Sequence, residues 1–170
     1  MTQPAQRLQD AGSLREAPLH LVLVEPQIPP NTGNVARLCA ATGCALHLVE
    51  PLGFSIADRD LKRAGLDYWS KLDVVLHPSL DAALAHFAGR AWFFSTHASL
   101  GYDQAGYALG DALFFGKETA GLPAALLTQH PSRALRIPMR PDSVRSLNLS
   151  TAVGIAAYAA LRALSFPDLA

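Results

Sequence analysis

The chain predicts an α/β fold: one domain of 170 residues with a mostly parallel sheet and helices on both of its faces. Three observations lead there. Short continuous apolar runs recur along the chain, as strands buried on both faces require. The segments between them have helical spacing and end in caps or glycines. No internal repeat, low-complexity tract or break in composition marks a second unit. Half the residues are apolar and only 16% are charged, enough to build a proper core at this length.

The elements follow in order. Residues 1–17 are polar and unpatterned and read as a mobile tail, and 18–170 as the domain. Residues 19–25 (LHLVLVE) form the first strand. The Pro-rich PQIPPNTGN that follows reads as loop, and a helix is predicted over 34–42, with Asn31, Thr32 and Asn34 as candidate caps and Gly43 as its stop. Residues 45–50 (ALHLVE) are a second strand ended by Pro51, which completes a βαβ unit. Residues 56–64 predict a short helix carrying Arg59, Lys62 and Arg63, with Gly65 as its end. A third strand over 73–77, a helix capped by Ser79 and running through Phe87, and a fourth strand over 91–97 continue the alternation. Residues 112–115 give a fifth strand leading into GKETAGLP, 124–129 a short helix, and 134–139 a sixth strand closed by Pro138 and Pro141. Ser146, Asn148 and Ser150 offer caps for a nearly uncharged last helix over 149–164.

In such a sheet, ligands bind at the carboxyl ends of the strands. Four loops are expected to meet there: 26–34, 95–99, 116–123 and 140–148. Lys plus Arg balance Asp plus Glu at 14 each, so a nucleic-acid surface has to be local. Arg133, Arg136, Arg140 and Arg145 against Asp142 alone form such a patch around the last loop, suited to an anion.

Other chemistries are disfavoured. Gly116-Lys117 fails as a phosphate-binding loop because Glu118 stands where Ser or Thr is needed, and no GxGxxG follows a strand. Cys39 and Cys44 have no second pair for zinc and read as core residues. The histidines at 20, 47, 77, 86, 97 and 130 show no metal-binding pairing, and His97 alone ends a strand at the expected site. No metal is expected. Residues 1–17 lack the apolar segment of a signal peptide, and the last helix is rich in small residues and interrupted by Arg162, so no membrane association and a cytoplasmic location are expected.

Three motifs carry a resemblance. Asn31-Thr-Gly-Asn-Val-Ala-Arg37, then Phe115-Gly-Lys-Glu118-Thr-Ala-Gly-Leu-Pro123, then Ile137-Pro-Met139 with Arg145-Ser-Leu-Asn148-Leu-Ser150 resemble those of the SPOUT (SpoU-like) RNA 2′-O-methyltransferases, in the branch that methylates the wobble cytidine or uridine, position 34, of tRNA. The resemblance spans about 19–166. It implies a carboxy-terminal trefoil knot, which pattern alone would never suggest because knots are nearly absent from folds. It further implies S-adenosyl-L-methionine as cofactor, with S-adenosyl-L-homocysteine as product, and a homodimer that completes the active site. The cofactor would contact Ser95, Thr96, Gly116, Gly121, Ile137, Ser146 and Leu147. The catalytic set carried over is Asn31, Arg37, Glu118, Ser146 and Asn148.

A ribose hydroxyl must be aligned with the methyl group and relieved of its proton as it attacks, and polar side chains can do the first. The family's scheme gives Arg37 the second task, yet a guanidinium stays protonated, so its role is open. Methylating a 2′-hydroxyl needs no covalent thiolate intermediate, in keeping with core cysteines. The partner implied is the anticodon loop of tRNA, with leucine acceptors expected. Its bases would stack on Tyr68, Trp69 or His97, and its phosphates would lie on the arginine patch and on Arg59, Lys62 and Arg63. The small and apolar residues of 149–164, with Ala152, Ala156 and Ala160 permitting close packing, point to the dimer interface. Competing readings are methylation of ribosomal RNA, a non-catalytic knotted RNA-binding or ribosome-assembly factor, and a small-molecule methyltransferase.

Overall fold

The computed structural model describes residues 6–7, 17–56 and 72–170. The helix expected over 56–64, with its basic cluster, and Tyr68 and Trp69 lie outside the described residues. Eight strands are described: β1 (Gln6–Arg7), β2 (Leu19–Val24), β3 (Ala45–Val49), β4 (Val74–His77), β5 (Ala91–Phe94), β6 (Leu100–Gly101), β7 (Asp111–Phe115) and β8 (Ala134–Arg136). The described helices are α1 (Pro29–Thr42), α2 (Leu80–His86), α3 (Ala124–Gln129) and α4 (Leu149–Ala163). The strands form one sheet in the order β1-β4-β3-β2-β7-β5-β8-β6. Only β1 on β4 is antiparallel, and every other pair is parallel.

Alternation along the strands divides the core. Leu19, Leu21 and Leu23 of β2 and Leu113 and Phe115 of β7 face Val35 and Cys39 of α1 and Val153, Ala156 and Ala160 of α4. Val22, Val24 and Phe114 point the other way, into a second cluster with Ala83 of α2, Phe87 and Leu126 of α3. Helices therefore cover both sheet faces, as the apolar strands require. Ala156 and Ala160 are fully buried inside the chain, so the close packing they permit is spent on this core rather than on a second subunit.

Most ends fall where the residues predict. Gly43 closes α1 in the left-handed region at φ 74°, and the Ser79 hydroxyl accepts from Ala82 N at 3.1 Å to cap α2. The start of α1 is different. It begins at Pro29, so the last six residues of PQIPPNTGN are helix, and Asn31, Thr32 and Asn34 lie inside it rather than capping it. Proline fits there because its φ is already helical and the first helical N–H groups have no partner within the helix. The strands expected to reach His97 and Met139 stop at Phe94 and Arg136, and the residues beyond them turn into loop.

Winding reverses between β2 and β7. From β2 the chain proceeds through α1 to β3 and β4 on one side, and from β7 through α3 to β8 on the other. The chain thus leaves β2 and β7 in opposite directions, which marks this carboxyl edge of the sheet as the place for a ligand.

On the second face, three histidines cross the sheet diagonally. His20 Nδ1 and His47 Nε2 share a hydrogen bond of 2.9 Å, and His47 Nδ1 and His77 Nε2 another of 2.9 Å. Burial, reinforced by Arg90 and His86, pulls His20 down to about 4, and burial with His86 does the same to His77. Because the folded values lie below the unfolded value near 6.5, the unfolded chain binds more protons, and stability is lost as pH falls from about 6.5 towards 4. Urea unfolding should therefore show the protein roughly 1–3 kcal/mol less stable at pH 5 than at pH 7.5. Equal midpoints at the two pH values would contradict this account of the ladder.

Candidate active site

A cavity of about 920 Å³ opens at the carboxyl ends of β5, β7 and β8, within the range of small-molecule sites. All four loops expected at this edge contribute, through Ile28 and Asn31, residues 95–97, residues 116–122 and residues 145–148. Its floor is aromatic: Phe94 and Phe115, at the ends of neighbouring strands, stack with ring centroids 4.7 Å apart and planes 18° from parallel. Leu135, Ile137, Met139 and Ala152 extend the apolar wall.

The loop after β7 shapes the opening. Lys117 and Gly121 pair across it, with Gly121 N donating to Lys117 O at 2.9 Å, and Gly121 sits at φ 69° where a side chain is strained. Gly116 is crowded instead. A Cβ there would lie 1.9 Å from the Gly121 carbonyl carbon and 2.1 Å from Leu122 N. Only glycine lets this loop fold back so tightly.

A polar relay ties the three motifs together on the cavity wall. The Glu118 carboxylate accepts from Gln27 N at 2.9 Å, from Ile28 N at 3.1 Å and from Asn31 Nδ2 at 3.1 Å. Asn31 Oδ1 accepts from Asn148 Nδ2 at 2.9 Å. Asn148 Oδ1 in turn accepts from Ser150 Oγ at 2.7 Å and Thr151 N at 3.3 Å, which caps α4. Each amide has one orientation that fits, since a carboxylate demands the NH2 of Asn31 and a helix N-terminus demands the oxygen of Asn148.

Glu118 also supplies what α1 lacks. Ile28 has no side chain to cap the helix, no acid stands in the first turn, and prolines occupy its first two positions. A carboxylate from about ninety residues away takes the N–H of Ile28, at the N-cap, and of Gln27 before it, and places negative charge at the helix N-terminus. Two further contacts fasten the same loops. Lys117 Nζ lies 2.8 Å from Glu25 Oε2, and Thr119 Oγ1 donates to Gln27 Oε1 at 2.8 Å. Gln27, Thr119, Glu25 and the Phe94–Phe115 pair escaped the sequence reading, although two aromatics ending adjacent strands were a usable sign.

Of the residues singled out, Asn31, Glu118, Ser146 and Asn148 meet on this cavity, as do Ser95, Thr96, Gly116, Gly121, Ile137 and Leu147. Arg37 does not line it and lies exposed on α1. Asn148 and Ser150 serve the start of α4 as expected, whereas Ser146 is on the cavity wall, outside the cap. The arginine patch is smaller than expected. Arg136, Arg140 and Arg145 are exposed, but the Arg133 guanidinium lies 4.4 Å from the Trp92 ring centroid and donates to Gly89 O at 3.2 Å. It is a packing residue.

Residues 18–158 match the family described as SpoU rRNA Methylase. The tRNA (cytidine(34)-2′-O)-methyltransferase of Escherichia coli K12 is 48% identical over 151 residues, covering 88% of this chain and 96% of that protein. A solved structure described as giving structural insights into the 2-OH methylation of C/U34 on tRNA is 50% identical with a TM-score of 0.81, covering 86% of this chain and 96% of the other. AviRb of Streptomyces viridochromogenes, a SpoU methyltransferase solved in complex with the cofactor AdoMet, has a TM-score of 0.76 at 24% identity, covers 88% of this chain and 59% of its own, and shares the fold.

Proposed function

The chain belongs to the SpoU methylase family, and from that premise we propose that it transfers a methyl group from S-adenosyl-L-methionine to the 2′-hydroxyl of nucleotide 34, the wobble cytidine or uridine, in tRNA. The observation that carries this reading is the Glu118–Asn31–Asn148 relay, in which three distant motifs assemble one polar wall over an aromatic floor.

The cavity fits the cofactor. Its volume suits a nucleoside with an amino-acid arm, the Phe94–Phe115 floor gives the adenosine an apolar bed, and Gly116 lets the 116–122 loop that lines the cavity fold back on itself. When bound, the cofactor supplies an electrophilic methyl group on a sulfonium. Ser95, Thr96, Gly116, Gly121, Ile137, Ser146 and Leu147 would hold it, and the chain's remaining task is to orient the ribose oxygen and exclude water. Asn31 and Asn148, each locked by its neighbours, define a fixed polar edge for the ribose. No group of three or more candidate metal ligands exists among the described residues, and the proposed chemistry calls on none.

Gly116→Ala should weaken S-adenosyl-L-methionine binding at least about tenfold by calorimetry, because the methyl group forces the 116–122 loop open. Unchanged affinity would show that this loop does not grip the cofactor.

The reading includes a homodimer in which Arg37 serves the partner's cavity, supported by its exposed place on α1 outside its own cavity. Ile28, Val144, Tyr158 and Phe166 are exposed apolar side chains that an interface would cover. It also includes the trefoil knot. What supports it is that β8 lies in the sheet between β5 and β6, which residues 95–99 join. No described helix is long and apolar enough to cross a membrane, and a tRNA-modifying role suits a cytoplasmic enzyme.

Arg136, Arg140 and Arg145 would bind phosphates of the anticodon loop. Three such contacts predict that raising salt from about 50 to 150 mM weakens tRNA binding about tenfold. Salt-independent binding would remove these arginines from the interface. The deciding experiment offers labelled cofactor with a leucine tRNA and, separately, with ribosomal RNA. Alkali-resistant label at position 34 is the expected result. Label in ribosomal RNA alone, or elsewhere in the tRNA, would overturn the proposal, and leucine tRNA failing while another tRNA is labelled at 34 would overturn only the acceptor.

A further inference from the structure

A second cavity, of about 690 Å³, stands back to back with the first. Both are lined by His97, Lys117, Ala120, Gly121 and Leu122, so one turn of chain and one imidazole separate them. Its far side is built from Pro123, Leu127 and Pro131, and hydroxyls of Ser99 and Thr128 lie along its rim. Nothing in the cofactor or ribose chemistry above uses it.

We propose that this cavity receives the base of a nucleotide next to the one that is methylated, with the His97 ring as its stacking surface. The inference rests on the RNA reading of the main site. Charge decides the kind of group. Among the described residues the one full cation in the lining, Lys117, is already paired with Glu25 at 2.8 Å, so the cavity offers no uncompensated charge to a phosphate. It offers flat apolar faces, from proline rings and an imidazole, with hydroxyls at the edge. A nucleobase matches that combination, since every base has a face that stacks and an edge that accepts and donates hydrogen bonds. Position decides which base. The reacting ribose has to lie in the first cavity, and the shared wall puts the second within reach of the adjoining nucleotide, as a single-stranded loop with splayed bases allows.

His97 is fixed well enough for this task. Its backbone N donates to Ser95 Oγ at 3.1 Å, and Ala98 N donates to Ser95 O at 3.3 Å, which closes a tight turn at the end of β5 and leaves the imidazole exposed. The cofactor-side Ser95 and the base-side His97 are thus parts of one turn.

The test uses the full-length protein with an anticodon stem-loop carrying 2-aminopurine immediately 5′ or immediately 3′ of nucleotide 34. Quenching at one of the two positions is expected on binding, as stacking produces. His97→Ala should abolish the quenching and raise KM for RNA about tenfold, with kcat and cofactor affinity unchanged. His97→Phe should restore both, because stacking needs a flat ring and a merely structural role would not be rescued. Thr128→Trp, on the exposed rim, should fill the cavity and reproduce the His97→Ala defect. If the unlabelled stem-loop is methylated while neither probe is quenched, or if His97→Ala weakens cofactor instead of RNA, the subsite is refuted and the main reading stands. A stem-loop that neither binds nor is methylated by the wild type defeats both.

Discussion

Glu118→Ala should lower methyl transfer about a hundredfold, or roughly 2.7 kcal/mol in the transition state, while the protein stays folded. The carboxylate holds Gln27 N, Ile28 N and the Asn31 amide together. Alanine leaves all three without this acceptor and takes from α1 its only cap, a loss of about 1 kcal/mol in stability. Asn31 would then be free to rotate, and Asn148 would lose the oxygen that orients its NH2. Catalysis suffers more than stability because a reacting oxygen must be placed within a fraction of an ångström, whereas a helix end can find water. Glu118→Gln tests the argument further. It keeps one acceptor oxygen but turns an NH2 towards a backbone donor, so it should recover part of the lost rate. Turnover of Glu118→Ala within about threefold of wild type would mean that the relay is ornamental to the chemistry.

The same relay shows what can be read from residues in order. Six strands, the stop at Gly43, the cap at Ser79 and the short helix over Ala124–Gln129 were all visible, since apolar runs, glycine and serine act on their immediate neighbours. The four loops could be brought to one edge because parallel strands place their ends together. The start of α1 could not be found this way. Its cap comes from Glu118, so no local residue announces it, and the prolines that looked like breakers are harmless at the first helical positions. Arg133 misled for a similar reason. Its charge suggested an anion, but Trp92, some forty residues earlier, takes the guanidinium. The pairing of β1 with β4 has no visible pattern at all, being two residues long. Site residues such as Asn31 and Asn148 gained meaning only through the family resemblance, and their mutual hydrogen bond needed the fold.

Arg37→Ala should abolish transfer, leaving less than about a tenth of wild-type kcat, while cofactor affinity stays within about twofold. The proposed cofactor pocket is built from β5, β7, β8 and the loop before α4, and Arg37 stands outside its lining. A guanidinium suits an electrostatic part: stabilising the oxygen as its proton departs, or holding a phosphate beside it. Because Arg37 stands outside the lining of its own cavity, the proposed dimer would let it serve the partner's. Complementation tests that geometry directly. Arg37→Ala subunits lack the arginine and Asn148→Ala subunits lack the fixed edge, so each homodimer is inactive. Mixed and allowed to exchange, half the dimers become hybrids, each with one site that joins an intact Asn148 to an intact Arg37. About a quarter of wild-type activity should return on this counting for a twofold-symmetric dimer. No recovery after exchange, shown to have occurred by differently tagged subunits, would place Arg37 in the cavity of its own chain.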